Sequence, residues 1–223
     1  GTTTLVSHAS GSSTTPAIGA VLDGPFSISA DGRRIAFSSG ASDMVSGISD
    51  DLGSADVFLF DRGDSQAPAS IKLVTRSATL DATATGSFFV DHVALSADGN
   101  YVAFQSASSD LVTGQDDSNG HADIFLFDAT SNTVQLISGA EGSATTTANA
   151  PSFQAGPLAI SAHGRYVAFK SCATNLVAGQ IDNNNNGDLF LFDRDASSAT
   201  ARLKLISHVH DSVVTAATGG SAA

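Results

Sequence analysis

The chain has 223 residues, a formal net charge of −12 and only ten Lys and Arg. That leaves no basic surface to displace phosphate counterions, which excludes nucleic acid as a partner. A single Cys excludes an internal disulfide, and no apolar run approaches the roughly 20 residues of a membrane-spanning helix.

Apolar residues make up 42% of the chain and charged ones 14%, enough for a core and unlike a disordered acidic tail. The start, Gly1-Thr2-Thr3-Thr4, lacks an initiator Met, as a processed chain or a fragment does. The first landmark is Leu5-Val6-Ser7-His8. The second is Ser27-Ile28-Ser29-Ala30-Asp31-Gly32-Arg33-Arg34-Ile35-Ala36-Phe37-Ser38-Ser39. It returns as Ala94-Leu95-Ser96-Ala97-Asp98-Gly99-Asn100-Tyr101-Val102-Ala103-Phe104 and as Ala159-Ile160-Ser161-Ala162-His163-Gly164-Arg165-Tyr166-Val167-Ala168-Phe169. Ser29, Ser96 and Ser161 stand at intervals of 67 and 65. Each copy continues into Asp-x-Phe-Leu-Phe-Asp, at Asp56, Asp123 and Asp188, and closes on Leu73-Val74-Thr75, Leu136-Ile137-Ser138 or Leu205-Ile206-Ser207.

Each unit predicts four strands. The first is short and ends at an Asp-Gly or His-Gly hairpin, whose Gly supplies positive φ. In the second, bulky Ile35/Phe37, Val102/Phe104 and Val167/Phe169 alternate with Ala, so one face is thick and the other thin. The third is apolar on both faces, as a strand between stacked sheets is. The fourth alternates again. A β-solenoid is the alternative, but its coils are normally much shorter. The expectation is therefore all-β: a β-propeller of four-stranded antiparallel blades, three per chain, plus one extra N-terminal strand. The parts are a spare fourth strand and loop at 1–23, then blades at 24–90, 91–155 and 156–223. Residues 201–223 repeat 1–23 at an offset of 200, with Leu5/Leu205, Ser7/Ser207, His8/His208, Ser12/Ser212 and Ala17/Ala217 identical. Three blades leave two open faces, so self-association or further blades are expected to close the propeller.

The Ser-Ala-Asp-Gly hairpin, the Asp-x-Phe-Leu-Phe-Asp strand and the Leu-Ile-Ser strand together resemble the TolB-like β-propeller repeat. The third copy departs from it with His163 in the hairpin. The absence of Trp separates the chain from Trp-Asp repeat proteins. The resemblance implies the fold and an extracellular or periplasmic location. It implies little about activity, because such propellers serve as scaffolds, as surface proteins and as domains beside peptidases.

An acidic loop joins the second and third strands of each unit. The final acids Asp56, Asp123 and Asp188 each follow, by six positions, a first acid at Asp50, Asp117 and Asp182. Asn119 and Asn184 lie between them, and Leu52 breaks the pattern in the first copy. Hard oxygens at alternate positions are what Ca²⁺ takes, so Asp117, Asn119, Asp123, Asp182, Asn184, Asp188, Asp50 and Asp56 are candidate metal ligands. Asx-turns and caps of backbone N–H groups are the alternative role for the same residues.

No Gly-x-Ser-x-Gly elbow is present. His8 and His208 fall at equivalent places. Asp91 and His92 precede a strand that would line the channel, and Cys172 reads as a small buried residue rather than a nucleophile. These features predict a non-enzymatic secreted or periplasmic scaffold for binding or self-assembly, stabilised by Ca²⁺. The alternative is an accessory propeller domain of a larger hydrolase or peptidase.

Overall fold

A computed structural model describes residues 3–19, 25–49, 55–79, 92–152, 158–184 and 186–217. Blade 1 consists of β1 (Phe26–Ile28), β2 (Arg34–Ser39), β3 (Asp56–Asp61) and β4 (Ser70–Leu73). Blade 2 consists of β5 (Val93–Leu95), β6 (Tyr101–Ser106), β7 (Asp123–Asp128) and β8 (Thr133–Leu136). Blade 3 consists of β9 (Ala159–Ile160), β10 (Tyr166–Ser171), β11 (Asp188–Asp193) and β12 (Leu203–Leu205). Every sheet runs in sequence order with antiparallel neighbours. The only helical element among the described residues is a short 3₁₀ turn at Ala199–Ala201.

Register follows the alternation in the sequence. Phe37 pairs with Phe58, Phe104 with Phe125 and Phe169 with Phe190. Within each pair the rings stack at 5.8, 5.7 and 6.0 Å between centroids. Phe104, Phe125, Phe169 and Phe190 are fully buried, each contributing about 1.5–3 kcal/mol of apolar burial. The hairpin is set locally. Ser29 donates its hydroxyl to Asp31 at 2.7 Å and accepts the Arg34 N–H at 2.9 Å. Ser96 does the same with Asp98 and Tyr101. In blade 3, Ser161 still accepts the Tyr166 N–H, but His163 reaches across to Asp98 of blade 2 at 3.3 Å.

The blades stack in series, thin face to thick face. Ala36, Val57, Leu59 and Val74 of blade 1 pack on Val102, Phe104, Phe125 and Phe127 of blade 2. Ala103, Ile124, Leu126 and Ile137 of blade 2 pack on Val167, Phe169, Phe190 and Phe192 of blade 3. Small Ala on the thin face is what lets the Phe pairs of the next blade approach. The thick face of blade 1, with Phe37, Phe58 and Phe60, meets loop residues such as Met44 and the N-terminal Val6 and Ala17.

The N-terminal copy of the fourth-strand motif departs from the expected extra strand. Residues 5–7 join no sheet, and His8 makes an isolated bridge to Pro16. In the blades, Leu73, Leu136 and Leu205 are strand residues because Phe58, Phe125 and Phe190 stand opposite them. Leu5 has no such third strand beside it among the described residues.

Candidate functional site

The carboxylates expected to act as ligands divide into two groups. The final acids form a clasp between strands three and four. Thr75 donates to Asp56 at 2.6 Å, Ser138 to Asp123 at 2.8 Å and Ser207 to Asp188 at 2.7 Å. The same hydroxyls accept the N–H of Val57, Ile124 and Leu189, the residue after each acid. Asp56, Asp123 and Asp188 are all buried. This bond is the physical content of the paired Asp-x-Phe and Leu-Ile-Ser motifs.

Burial pushes Asp123 up to about 7, against the Ser138 hydrogen bond, and the charge of Asp117 adds to the rise. Burial likewise raises Asp188, opposed by Ser207 and reinforced by Asp182. Asp123 Oδ2 is buried and has no hydrogen-bond partner among the described residues.

The remaining loop residues hold turns and a neighbouring segment. Asp117 Oδ1 accepts the Gly120 N–H at 3.0 Å and the Thr147 hydroxyl at 3.2 Å. Asn119 accepts the His121 N–H and donates to the Ala148 carbonyl. Asp182 accepts the Asn184 N–H at 2.9 Å. Asn184 accepts the Asn186 N–H at 2.7 Å and donates to the Ala217 carbonyl at 2.6 Å. Asp50 lies outside the described residues, as does Asp91. Among the described residues, no three His, Cys, Asp or Glu side chains gather as a metal-holding group.

The segment that Asn119 and Asn184 grip was not apparent in the sequence. After β8 and β12 the chain turns back as a hook, and residues 8–16 turn in the same way. Gly139 bridges Thr147 and His208 bridges Ala216, as His8 bridges Pro16. Ser12, Ser143 and Ser212 each cap the turn by accepting the N–H three residues on, from Thr15, Thr146 and Thr215. The hook then reaches the next blade. Ser10 N–H donates to the Asp43 carbonyl, Ala78 to Asp110 and Glu141 to Asn175, each at 2.8 Å. Identity between 1–23 and 201–223 is the signal that could have exposed it, since the matches run well past the strand.

Other chemistry-bearing groups are held in structural contacts. His8 and His208 place Nδ1 3.1 and 3.0 Å from the Ala9 and Val209 carbonyls. Cys172 is half-buried, and burial, with the nearby Asp182 charge, raises its thiol pKa. His92 gives its carbonyl to Gln105 N–H. A cleft of about 250 Å³ between blades 1 and 2 has Arg76 as the only charged residue among the described residues that line it. No helix among the described residues is long and apolar enough to cross a membrane.

Three stacked four-stranded blades define a β-propeller array, the architecture expected of TolB-like repeats. Among solved structures, the chain is similar to TolB from Acinetobacter baumannii, at 14% identity and a TM-score of 0.42 over 89% of this chain and 35% of that one. It is similar to the tricorn protease at 9% identity and a TM-score of 0.41, over 82% of this chain and 14% of that one. It is also similar to a putative TolB from Agrobacterium tumefaciens, at 16% identity and a TM-score of 0.35, over 81% of this chain and 63% of that one. The chain thus spans less than two thirds of each. No protein-family model matches it, and no curated protein does.

Proposed function

We propose that the chain is a non-enzymatic propeller module, secreted or periplasmic, that acts as a scaffold for binding or assembly. The observation that supports this reading is the threefold clasp. In every blade one acid and one hydroxyl are engaged with each other, at Asp56–Thr75 and Asp123–Ser138 in buried bonds and at Asp188–Ser207 in a half-buried one. Self-association or further blades would complete the array. The test is turnover of peptide, ester and phosphoester substrates by the purified chain. None above background is expected. Turnover removed by a single Ser, His or Asp substitution would replace the scaffold with a catalytic reading.

Calcium is a proposed structural ligand of the loops at 117–123 and 182–188. What supports it is the buried Asp123 Oδ2, which no hydrogen-bond donor among the described residues meets, close to the charge of Asp117. A dication there would keep Asp123 ionised and draw its remaining oxygens from backbone and water.

A further inference from the structure

The two internal interfaces are copies of one another, and each end of the array carries one half of the same interface with no blade stacked on it among the described residues. On the thin side, Val57 and Ile124 are 0% and 1% exposed where the next blade covers them, and Leu189 is 37% exposed. Val74 and Ile137 are buried at the next position, and Ile206 is 43% exposed. On the thick side, Val93 and Leu95 of blade 2 are 7% and 6% exposed, whereas their counterparts Phe26 and Ile28 in blade 1 are 77% and 57% exposed. A sheet face that is apolar in the same pattern as a buried one, and open, is an interaction surface.

The hairpins repeat this half-and-half pattern. A Cβ on Gly99 would meet the Arg34 side chain of blade 1, and one on Gly164 would meet the Tyr101 ring of blade 2. Each of these residues lies over the next blade's glycine. The third member, Tyr166, is exposed, and no described residue lies over Gly32. Tyr166 and Gly32 are therefore the protruding and receiving parts of one contact, at opposite ends of the chain.

The hooks show what holds the receiving end. Val6 and Ala17 lie on the thick face of blade 1, where Ile137 and Ala148 lie on blade 3. Ser10 binds Asp43 as Glu141 binds Asn175. Residues 6–17 thus occupy the place of a preceding blade's hook. Their duplicates, Ile206, His210 and Ala217, are at the far end, with Ile206 and His210 exposed.

We propose that a second copy of this chain docks head to tail, its blade 3 on this chain's blade 1, and that its residues 206–217 take the seat held here by residues 6–17. The proposal rests on the scaffold reading and names its partner. In the docked pair, Ile206 takes the Val6 seat against Phe58 and Phe60 with Leu189 closing on the same face, β9 and β10 cover Phe26 and Ile28 as β1 and β2 face Val93 and Leu95 here, Tyr166 lies over Gly32, and His210 N–H replaces Ser10 N–H at the Asp43 carbonyl. Two chains docked at both ends form a ring of six blades, within the roughly 4–8 of propellers, and leave no open face.

The test uses the whole chain and reads mass by light scattering and sedimentation across concentration. The unsubstituted chain is expected to form a species of two chain masses. Leu189→Lys with Ile206→Lys, and separately Phe26→Lys with Ile28→Lys, are expected to weaken pairing at least about tenfold, because each would bury an unpaired ammonium. All four positions are exposed in the single chain, and circular dichroism checks that each variant folds. Mixing the two variants is expected to restore a one-to-one pair, since each retains the half that the other has lost.

Val6→Asp is expected to strengthen pairing, because it loosens the resident segment and leaves the incoming one intact. Hydrogen exchange at Ser10 is expected to rise at first docking and to fall at His210. Each of three results would overturn the proposal: a monomer at all concentrations, which would leave a further blade as the occupant; variants that do not complement; or pairing with Ser10 still protected and Val6→Asp neutral. The turnover assay is read separately. A monomer without turnover overturns only the docking, and a pair that turns over substrate overturns only the scaffold reading.

Discussion

Ser138 donates to Asp123 Oδ1 at 2.8 Å while accepting the Ile124 N–H at 2.9 Å, and both residues are buried. One hydroxyl thus serves one carboxyl oxygen and a backbone amide at the point where strands three and four separate. Ser138→Ala leaves both without that partner, at a cost of about 1–3 kcal/mol. Thermal unfolding is expected to show a clear drop in Tm. Ser207→Ala is expected to cost less, because Ser207 is half-buried and water can reach the vacated site.

Asp123 also makes stability depend on pH. Its ordinary value of 3.8 rises to about 7 in the fold, so the folded chain favours the protonated acid. Folding therefore takes up a proton between these values, and this contribution is full below about pH 4 and lost as pH rises towards 7. Denaturant midpoints measured across that window are expected to fall with pH. Asp123→Asn is expected to flatten the slope. An unchanged slope in the variant would assign the effect to another group.

On the acid side the sign reverses. Burial alone would raise Asp61, but hydrogen bonds from Arg33, the Gly63 N–H and Arg34 outweigh it and hold the carboxyl at about 2. Its contribution is present above the ordinary value of 3.8 and lost as pH falls through 2. Asp61→Asn is expected to lower stability at neutral pH and to leave less to lose on acidification, as equilibrium unfolding at the two pH extremes would show.

Calcium gives a further check on Asp123. If the loop at 117–123 takes the ion, added Ca²⁺ raises Tm, chelator reverses the rise, and the effect is largest near neutral pH where Asp123 ionises. Asp123→Asn is expected to abolish the shift. No shift with the unsubstituted chain leaves the loops as turns that grip the hooks.

Gly164 and Gly32 offer a matched comparison. Both have positive φ, 66° and 67°, so Ala costs about 1–2 kcal/mol of backbone strain at either. At Gly164 the new Cβ also meets the Tyr101 ring, whereas at Gly32 it meets no described residue. In the unpaired chain, secured by Leu189→Lys with Ile206→Lys, Gly164→Ala is expected to lower Tm further, and the difference measures how tightly blades 2 and 3 are keyed together.

The blade itself was legible in the residue order. Strand pairing and hairpin turns are set by near neighbours: Asp-Gly makes the turn, and alternating Phe and Ala separates a thick face from a thin one. That is why β2, β6 and β10 match, as do β3, β7 and β11. The candidate site was legible in part. Its acids could be found by spacing, but Asn119 and Ala148 meet across 29 positions, a distance at which local pattern carries no signal. Equal motifs also took unequal roles. Ile137 is buried and Ile206 exposed, and Leu136 is a strand residue while Leu5 is not. A motif sets which way a side chain points from its own backbone. Whether it is covered depends on the next layer, and that was settled only when the blades stacked.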